Sequence, residues 1–153
     1  MNKAYQLQVL DIIRGTTVDG PGFRTSIYLA GCTHQCPGCH NPQSWDPSAG
    51  TTMNIEEIMN IILEEDFDVT LTGGDPLFDP LSTLLLVKAI KNAGYGIWLY
   101  TGYTIEEIHQ RKDLMEIIQY CDAVVEGRFI QELKDSDLLF RGSSNQRIIR
   151  PNS

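Results

Sequence analysis

No stretch of eighteen or more apolar residues occurs in this chain of 153, which excludes a membrane-spanning helix. The first thirteen residues carry a short apolar patch broken by Asp11, with no small-residue cleavage site after it. A secretory signal is therefore not expected. Basic residues are also scarce, 12 Lys and Arg against 20 Asp and Glu, for a net charge of −8. Neutralising phosphates needs clustered positive charge, so nucleic acid is not an expected partner, and the acidic balance serves solubility. Cysteines number only 4, and no second cysteine hook accompanies the first. What remains is ordinary: 42% apolar residues, enough for one domain with a real core.

Three of the four cysteines lie within eight positions, in Ala30-Gly31-Cys32-Thr33-His34-Gln35-Cys36-Pro37-Gly38-Cys39-His40-Asn41-Pro42. Positions i, i+4 and i+7 can share a helix face, but Pro37 and Gly38 fall between the second and third thiols and break a helix. The stretch is a loop that wraps three thiols together. Crowded thiols in a chain of cytoplasmic character serve metal binding or catalysis. Cys121, next to the apolar pattern Met115-Ile117-Ile118-Tyr120, is expected to be buried packing.

Around the loop, strand and helix patterns alternate. Gln6 to Ile13 suggests a first strand, and the turn Val18-Asp19-Gly20-Pro21-Gly22 follows. Phe23 to Leu29 reads as a strand running into the cysteine loop, and residues 41–53 read as loop. Asn54 and Glu57 form a capping box for a helix with Ile55, Ile58, Met59 and Ile62 on one face. Phe67 to Leu71 is a strand ending in Thr72-Gly73-Gly74-Asp75-Pro76. Asp79-Pro80 opens a second helix that stops at Gly94. Ile97 to Tyr100 is a strand ended by Thr101-Gly102, and Thr104 with Glu107 caps a short helix. Ala123 to Val125 is a strand ended at Gly127.

Strand then helix, repeated, predicts parallel strands with crossovers. A full eight-unit barrel takes about 250 residues. The expected fold is therefore α/β, an incomplete parallel β/α barrel or open sheet, in a single domain over 1–153 with 130–153 as a polar C-terminal extension. The loops beginning at Gly31, Thr72, Thr101 and Glu126 each follow a strand, so they should meet on one edge, where active sites of such folds collect.

Three thiolates supply three ligands, whereas Fe–S clusters and structural zinc sites normally take four. The fourth is His34, His40, Cys121, or nothing from the protein. An unfilled position on an iron cluster would let a substrate or cofactor bind the metal. A zinc-binding interaction module with a histidine ligand stays open, as does a ferredoxin-like electron carrier with four protein ligands. The Gly73-Gly74 pair allows close approach of a ligand to backbone and leaves N–H and C=O groups to bind it.

Cys32-xxx-Cys36-xx-Cys39 resembles the signature of the radical S-adenosylmethionine enzymes, and Gly73-Gly74-Asp75-Pro76 resembles their glycine-rich motif. More narrowly, Val18-Asp19-Gly20-Pro21-Gly22 and Cys36-Pro37-Gly38-Cys39-x-Asn41 are similar to the glycyl-radical-enzyme activases. Within these, the Gly-Gly-Asp-Pro form, the short chain and Arg141-Gly142-Ser143-Ser144-Asn145-Gln146 resemble the branch that acts on anaerobic ribonucleoside-triphosphate reductases. Gly38 stands where most of the superfamily has an aromatic residue, and Asp75 where Glu is commoner; both differences are typical of that branch. His40 gives a Cys-His-Asn sequence that also resembles the activases of pyruvate formate-lyase.

The resemblance implies one 4Fe-4S cluster on Cys32, Cys36 and Cys39, with the fourth iron chelated by S-adenosylmethionine. It implies cofactor contacts at Gly38, Cys39 and His40, with Gly73, Gly74 and Asp75 opposite. The implied reaction is one-electron cleavage of S-adenosylmethionine to a 5′-deoxyadenosyl radical, which takes a hydrogen atom from a glycine of the partner enzyme. The implied partners are the anaerobic ribonucleotide reductase and an electron donor such as a flavodoxin or ferredoxin. Asp75 is expected to shape its turn, His34 to be orienting or solvent-facing, and the Arg141 to Gln146 tail to dock a partner or cover the site.

Overall fold

The computed structural model describes residues 6–32, 34 and 45–151. Its strands are β1 (Gln6–Thr16), β2 (Arg24–Leu29), β3 (Thr51–Asn54), β4 (Asp68–Gly73), β5 (Ile97–Tyr100), β6 (Ala123–Glu126) and β7 (Arg147–Ile149). They form one sheet in the order β3-β1-β2-β4-β5-β6-β7. Four helices intervene: α1 (Ile55–Glu65), α2 (Pro80–Asn92), α3 (Ile105–His109) and α4 (Lys112–Ile118). The architecture is a mixed α/β fold.

The centre of the sheet follows the expected pattern. β2, β4, β5 and β6 are parallel neighbours, so their C-terminal ends share one edge. The flanks do not follow it, because β1, β3 and β7 all pair antiparallel. β1 runs on to Thr16, past the expected end at Ile13, because Arg14 and Thr16 still pair with β2. β3 occupies a stretch expected to be loop; its four residues pair with Gln6 to Val9 and close that side of the sheet. β7 lies in the segment expected to be a polar extension, and Ile148 there pairs with Val125.

The helix starts are those the sequence marks. Asn54 with Glu57 and Thr104 with Glu107 each form a complete capping box, and the Asp79 carboxylate accepts from Ser82 N–H ahead of Pro80. All four helices contribute to one apolar layer. Ile27, Leu29, Val69, Leu71, Ile97, Leu99 and Val124 meet Ile58, Ile62, Leu86, Ile90, Ile108, Leu114 and Ile117 in a single cluster. Burial of each such side chain contributes roughly 1.5–3 kcal/mol. Cys121 is fully buried in this layer, where burial pushes its thiol well above the ordinary range.

The opposite face of the parallel strands is polar and aromatic: Arg24, Ser26, Thr70, Trp98 and Tyr100. Here the cover is made of loops. Arg24, 3% exposed, donates to Thr70 Oγ1, Val69 O and Pro21 O, and burial lowers its pKa. Tyr28 donates its hydroxyl to Asp19 at 2.8 Å, and Thr70 Oγ1 donates to the Asp19 carbonyl at 2.6 Å. These bonds fold the 17–22 turn onto the strands, with Gly20 (φ +131°) close against Arg24 and Trp98. Further along, Phe140 stands edge-on to Trp98 at 5.3 Å, so the C-terminal segment covers the rest of that face.

The loop after β6 is tied to α3 by Arg128, whose guanidinium binds both Glu107 oxygens at 2.7 and 3.0 Å. Those bonds, with the Thr104 backbone N–H next, lower the Glu107 pKa from 4.5 to about 2. A depressed carboxylate adds stability that is present above 4.5 and lost as pH falls toward 2. Glu107→Gln is therefore expected to flatten the acid limb of the stability curve in that window. The effect is small and screened by salt because the pair is exposed, and acid titration by circular dichroism checks it. No helix among the described residues is long and apolar enough to cross a membrane.

Candidate metal centre

The four parallel strands deliver four loops to one edge, as expected. Leu29 leads into the cysteine loop, Gly73 into Gly74-Asp75, Tyr100 into Thr101-Gly102, and Glu126 into Gly127-Arg128. A cleft of about 130 Å³ opens between them, lined by Cys32, His34, Gly74, Tyr100, Gly127 and Gln146 among others. Of the sequence-derived site residues, Cys32, Gly73, Gly74 and Asp75 are thus placed together. Cys36, Gly38, Cys39 and His40 lie outside the described residues.

Two backbone bonds zip the first two loops. Gly74 N–H donates to Leu29 O and Asp75 N–H to Gly31 O, each at 2.7 Å. Gly73 makes this approach possible: its φ is +109°, and a β-carbon there would run into Leu29 N and O. The expectation that this glycine pair keeps its N–H groups for a ligand is corrected for Gly74, whose N–H is spent on the neighbouring loop. Its carbonyl accepts no hydrogen bond among the described residues.

Asp75, 2% exposed, has no spare capacity. Its Oδ1 accepts from Leu77 N–H at 2.9 Å, which is the turn role expected of it. The Thr101 hydroxyl lies 2.9 Å from both carboxylate oxygens, Gly102 N–H reaches Oδ2 at 3.0 Å, and His34 Nε2 reaches Oδ2 at 2.7 Å. Four donors fill the acceptor sites of an ionised carboxylate. Asp75 braces the loops.

Cys32, His34 and Asp75 put their ligand atoms within 4.8 Å of one another, a combination that zinc also accepts. The 2.7 Å His34–Asp75 separation is a hydrogen bond; tetrahedral zinc ligands at ~2.05 Å stand about 3.3 Å apart. Cys121 is removed as a fourth ligand, since it precedes β6 while Cys32 follows β2, placing the two at opposite edges of parallel strands. His109 sits in the last turn of α3, at the far end of that helix from its Thr104 cap.

The sequence did not point to Tyr100 as a site residue. Its hydroxyl is buried with no partner among the described residues, on the cleft wall between Thr72 and Val125. Burial, and then the nearby Asp19 charge, push its pKa up, so it is a neutral donor. The 141–146 tail is expected to dock a partner or cover the site, and it lies beside the cleft, where Gln146 is a lining residue. Gln146 donates to Gly127 O and accepts from Gly142 and Ser143 N–H, while Asn145 donates to Arg128 O. Residues 141–146 form a clasp on the β6 loop, and Ser143 is fully buried in it.

Residues 18–149 match the family described as 4Fe-4S single cluster domain, which makes this an iron–sulfur protein. Relatives are similar over most of their length. The anaerobic ribonucleoside-triphosphate reductase-activating protein of Escherichia coli (strain K12) is 36% identical over 139 residues, 84% of this chain and 89% of that protein. Proteins of the same name from Haemophilus influenzae and Enterobacteria phage T4 are 38% and 35% identical, covering 87% and 86% of this chain and 91% and 86% of their own. The chain belongs to the family of anaerobic ribonucleoside-triphosphate reductase-activating proteins. Among solved structures, QueE from Escherichia coli shares the fold, with a TM-score of 0.54 and 20% identity, over 65% of this chain and 53% of that one.

Proposed function

We propose that this chain activates an anaerobic ribonucleoside-triphosphate reductase by generating a glycyl radical on it, with one 4Fe-4S cluster and S-adenosylmethionine as cofactors. The observation that carries the reading is the shared edge: Cys32, Gly74 and Tyr100, whose buried hydroxyl has no partner among the described residues, line one cleft in a chain of this family. In this reading Cys32, Cys36 and Cys39 hold the cluster, while Gly38, Cys39 and His40 line the cofactor on one side and Gly73 and Gly74 on the other. A flavodoxin or ferredoxin supplies the electron, the protein works in the cytoplasm, and the whole chain acts as one domain. The sheet is the open, partial barrel of the radical S-adenosylmethionine type. Helices on one face and loops on the other support that, as outer and inner sides of a barrel require.

The residues present fit the cofactors. The thiol of Cys32 suits iron, the Gly74 carbonyl suits an ammonium group, and the buried Tyr100 hydroxyl needs an acceptor that the described protein does not give it. When bound, the cluster and S-adenosylmethionine supply the one-electron chemistry that makes a 5′-deoxyadenosyl radical. The chain's own work is placement and shielding. Gly73 lets the β4 loop close on β2, Asp75 ties three loops together, and the 141–146 clasp closes the β6 side of the cleft.

Anaerobically reconstituted protein is expected to carry iron and sulfide and to yield 5′-deoxyadenosine with dithionite and S-adenosylmethionine. Stoichiometric zinc without iron contradicts the reading. Tyr100→Phe tests the cleft wall separately. Loss of one hydrogen bond costs about 0.5–1.5 kcal/mol, so cofactor affinity measured by equilibrium dialysis should fall about three- to tenfold with iron content unchanged.

A further inference from the structure

His34, the residue between the first two cysteines that the structure describes, is expected to be orienting or solvent-facing. Its side chain is 5% exposed. Among the described residues three contacts hold it, and all come from other loops. Nε2 meets Asp75 Oδ2 at 2.7 Å, 41 positions away in the chain. The ring stands edge-on to Tyr103, with centroids 4.7 Å apart at 84°. Gly102 supplies the floor: a β-carbon there would lie 2.5 Å from His34 Cδ2 and 2.9 Å from Cγ.

This socket is itself fixed. Thr101, 6% exposed, touches both Asp75 oxygens and accepts the Tyr103 N–H at 3.1 Å, and its own N–H donates to Val125 O at 3.0 Å. The imidazole is therefore gripped by the exits of β4 and β5, two residues after Cys32. A buried polar ring keeps its place only while its partner stays, so its grip resists movement of the chain around it. The glycine at position 102 serves this contact: it stands at a strand end where any side chain would push the ring out.

We propose that His34 is the anchor of the cysteine loop, a positioning residue that plugs into the Asp75–Gly102–Tyr103 socket and so fixes Cys32 at the cluster edge. It acts through the loop and binds neither iron nor cofactor. This rests on the reading above that Cys32 is an iron ligand. Supporting groups around metal ligands typically change metal retention by about 10–100-fold when removed.

The test uses the full chain, reconstituted anaerobically, with His34→Ala, His34→Gln and Gly102→Ala beside the unaltered protein. Iron release to a chelator and the electron paramagnetic resonance spectrum of the reduced cluster are the readouts, with thermal unfolding of the iron-free proteins as the control for folding. His34→Ala and Gly102→Ala are expected to release iron about 10–100-fold faster and to broaden or shift the spectrum. His34→Gln, whose amide can still donate to Asp75, is expected to restore most of both. Release from His34→Ala within about twofold of the unaltered protein overturns the proposal. So does a Gln variant that behaves like the Ala variant while its iron-free form unfolds normally. If His34→Ala does not fold, Gly102→Ala alone decides, since it keeps the histidine and only displaces its ring. An unaltered protein that takes up no iron defeats the underlying reading instead, which separates the two failures.

Discussion

Alanine in place of Gly73 is expected to lower the unfolding midpoint by about 10 °C. Two costs add. A residue with a β-carbon held at φ +109° stores roughly 1–3 kcal/mol of strain, and overpacking against fixed atoms costs a similar amount. The atoms in the way are Leu29 N and O, backbone of the neighbouring strand, so no rotamer change relieves the clash. At about 2–4 °C per kcal/mol for a chain of this size, the sum is well within reach of calorimetry. The Gly74–Leu29 and Asp75–Gly31 bonds depend on the same approach, so the cleft should open along with the loss of stability. A midpoint within about 2 °C of the unaltered protein would show that β2 and β4 can separate at their ends without cost.

Cys32→Ala is expected to act in the opposite way, sparing the fold and removing the chemistry. The side chain is only partly buried, and the backbone contribution of Cys32, its N–H to Trp45 O at 3.3 Å, survives the change. Iron retention and 5′-deoxyadenosine formation should both fall to background. Cys121→Ala supplies the contrast. That thiol is fully buried among apolar side chains, so its loss costs about 1 kcal/mol of stability and leaves iron content unchanged. Elemental analysis and product chromatography on the two variants separate a ligand from a packing residue. Equal iron in the Cys32 variant and the unaltered protein would remove Cys32 from the cluster.

How much of this was legible in the sequence depended on how local the signal was. The capping boxes at Asn54 and Thr104, the Asp79-Pro80 start and the strands ending in glycine involve neighbours a few residues apart, and all stood in the pattern. From the parallel order it followed that the cysteine loop and Gly73-Gly74 would meet on one edge. β3 and β7 were not legible. Thr51 to Asn54 and Arg147 to Ile149 are too short to show an alternation, and each is a strand only because a longer neighbour offers an open edge. The antiparallel direction of β1 leaves no mark in its own residues. Inside the site, the same limit applied. His34, Asp75, Thr101 and Gly102 are joined across 26 to 41 positions, so neither the burial of the histidine nor the saturation of the aspartate is written in any one segment. An aromatic residue in a strand is ordinarily packing, so nothing in its segment marks Tyr100; only the missing partner of its buried hydroxyl among the described residues singles it out.

The central claim is tested most directly by mixing the reduced, anaerobically reconstituted protein with S-adenosylmethionine and the glycyl-radical subunit of an anaerobic ribonucleotide reductase, then freezing for electron paramagnetic resonance. A glycyl radical on the reductase, absent when Cys32→Ala replaces the unaltered protein, is the predicted result. No radical on the reductase, with a clear one on pyruvate formate-lyase under the same conditions, would contradict it and give the chain a different target.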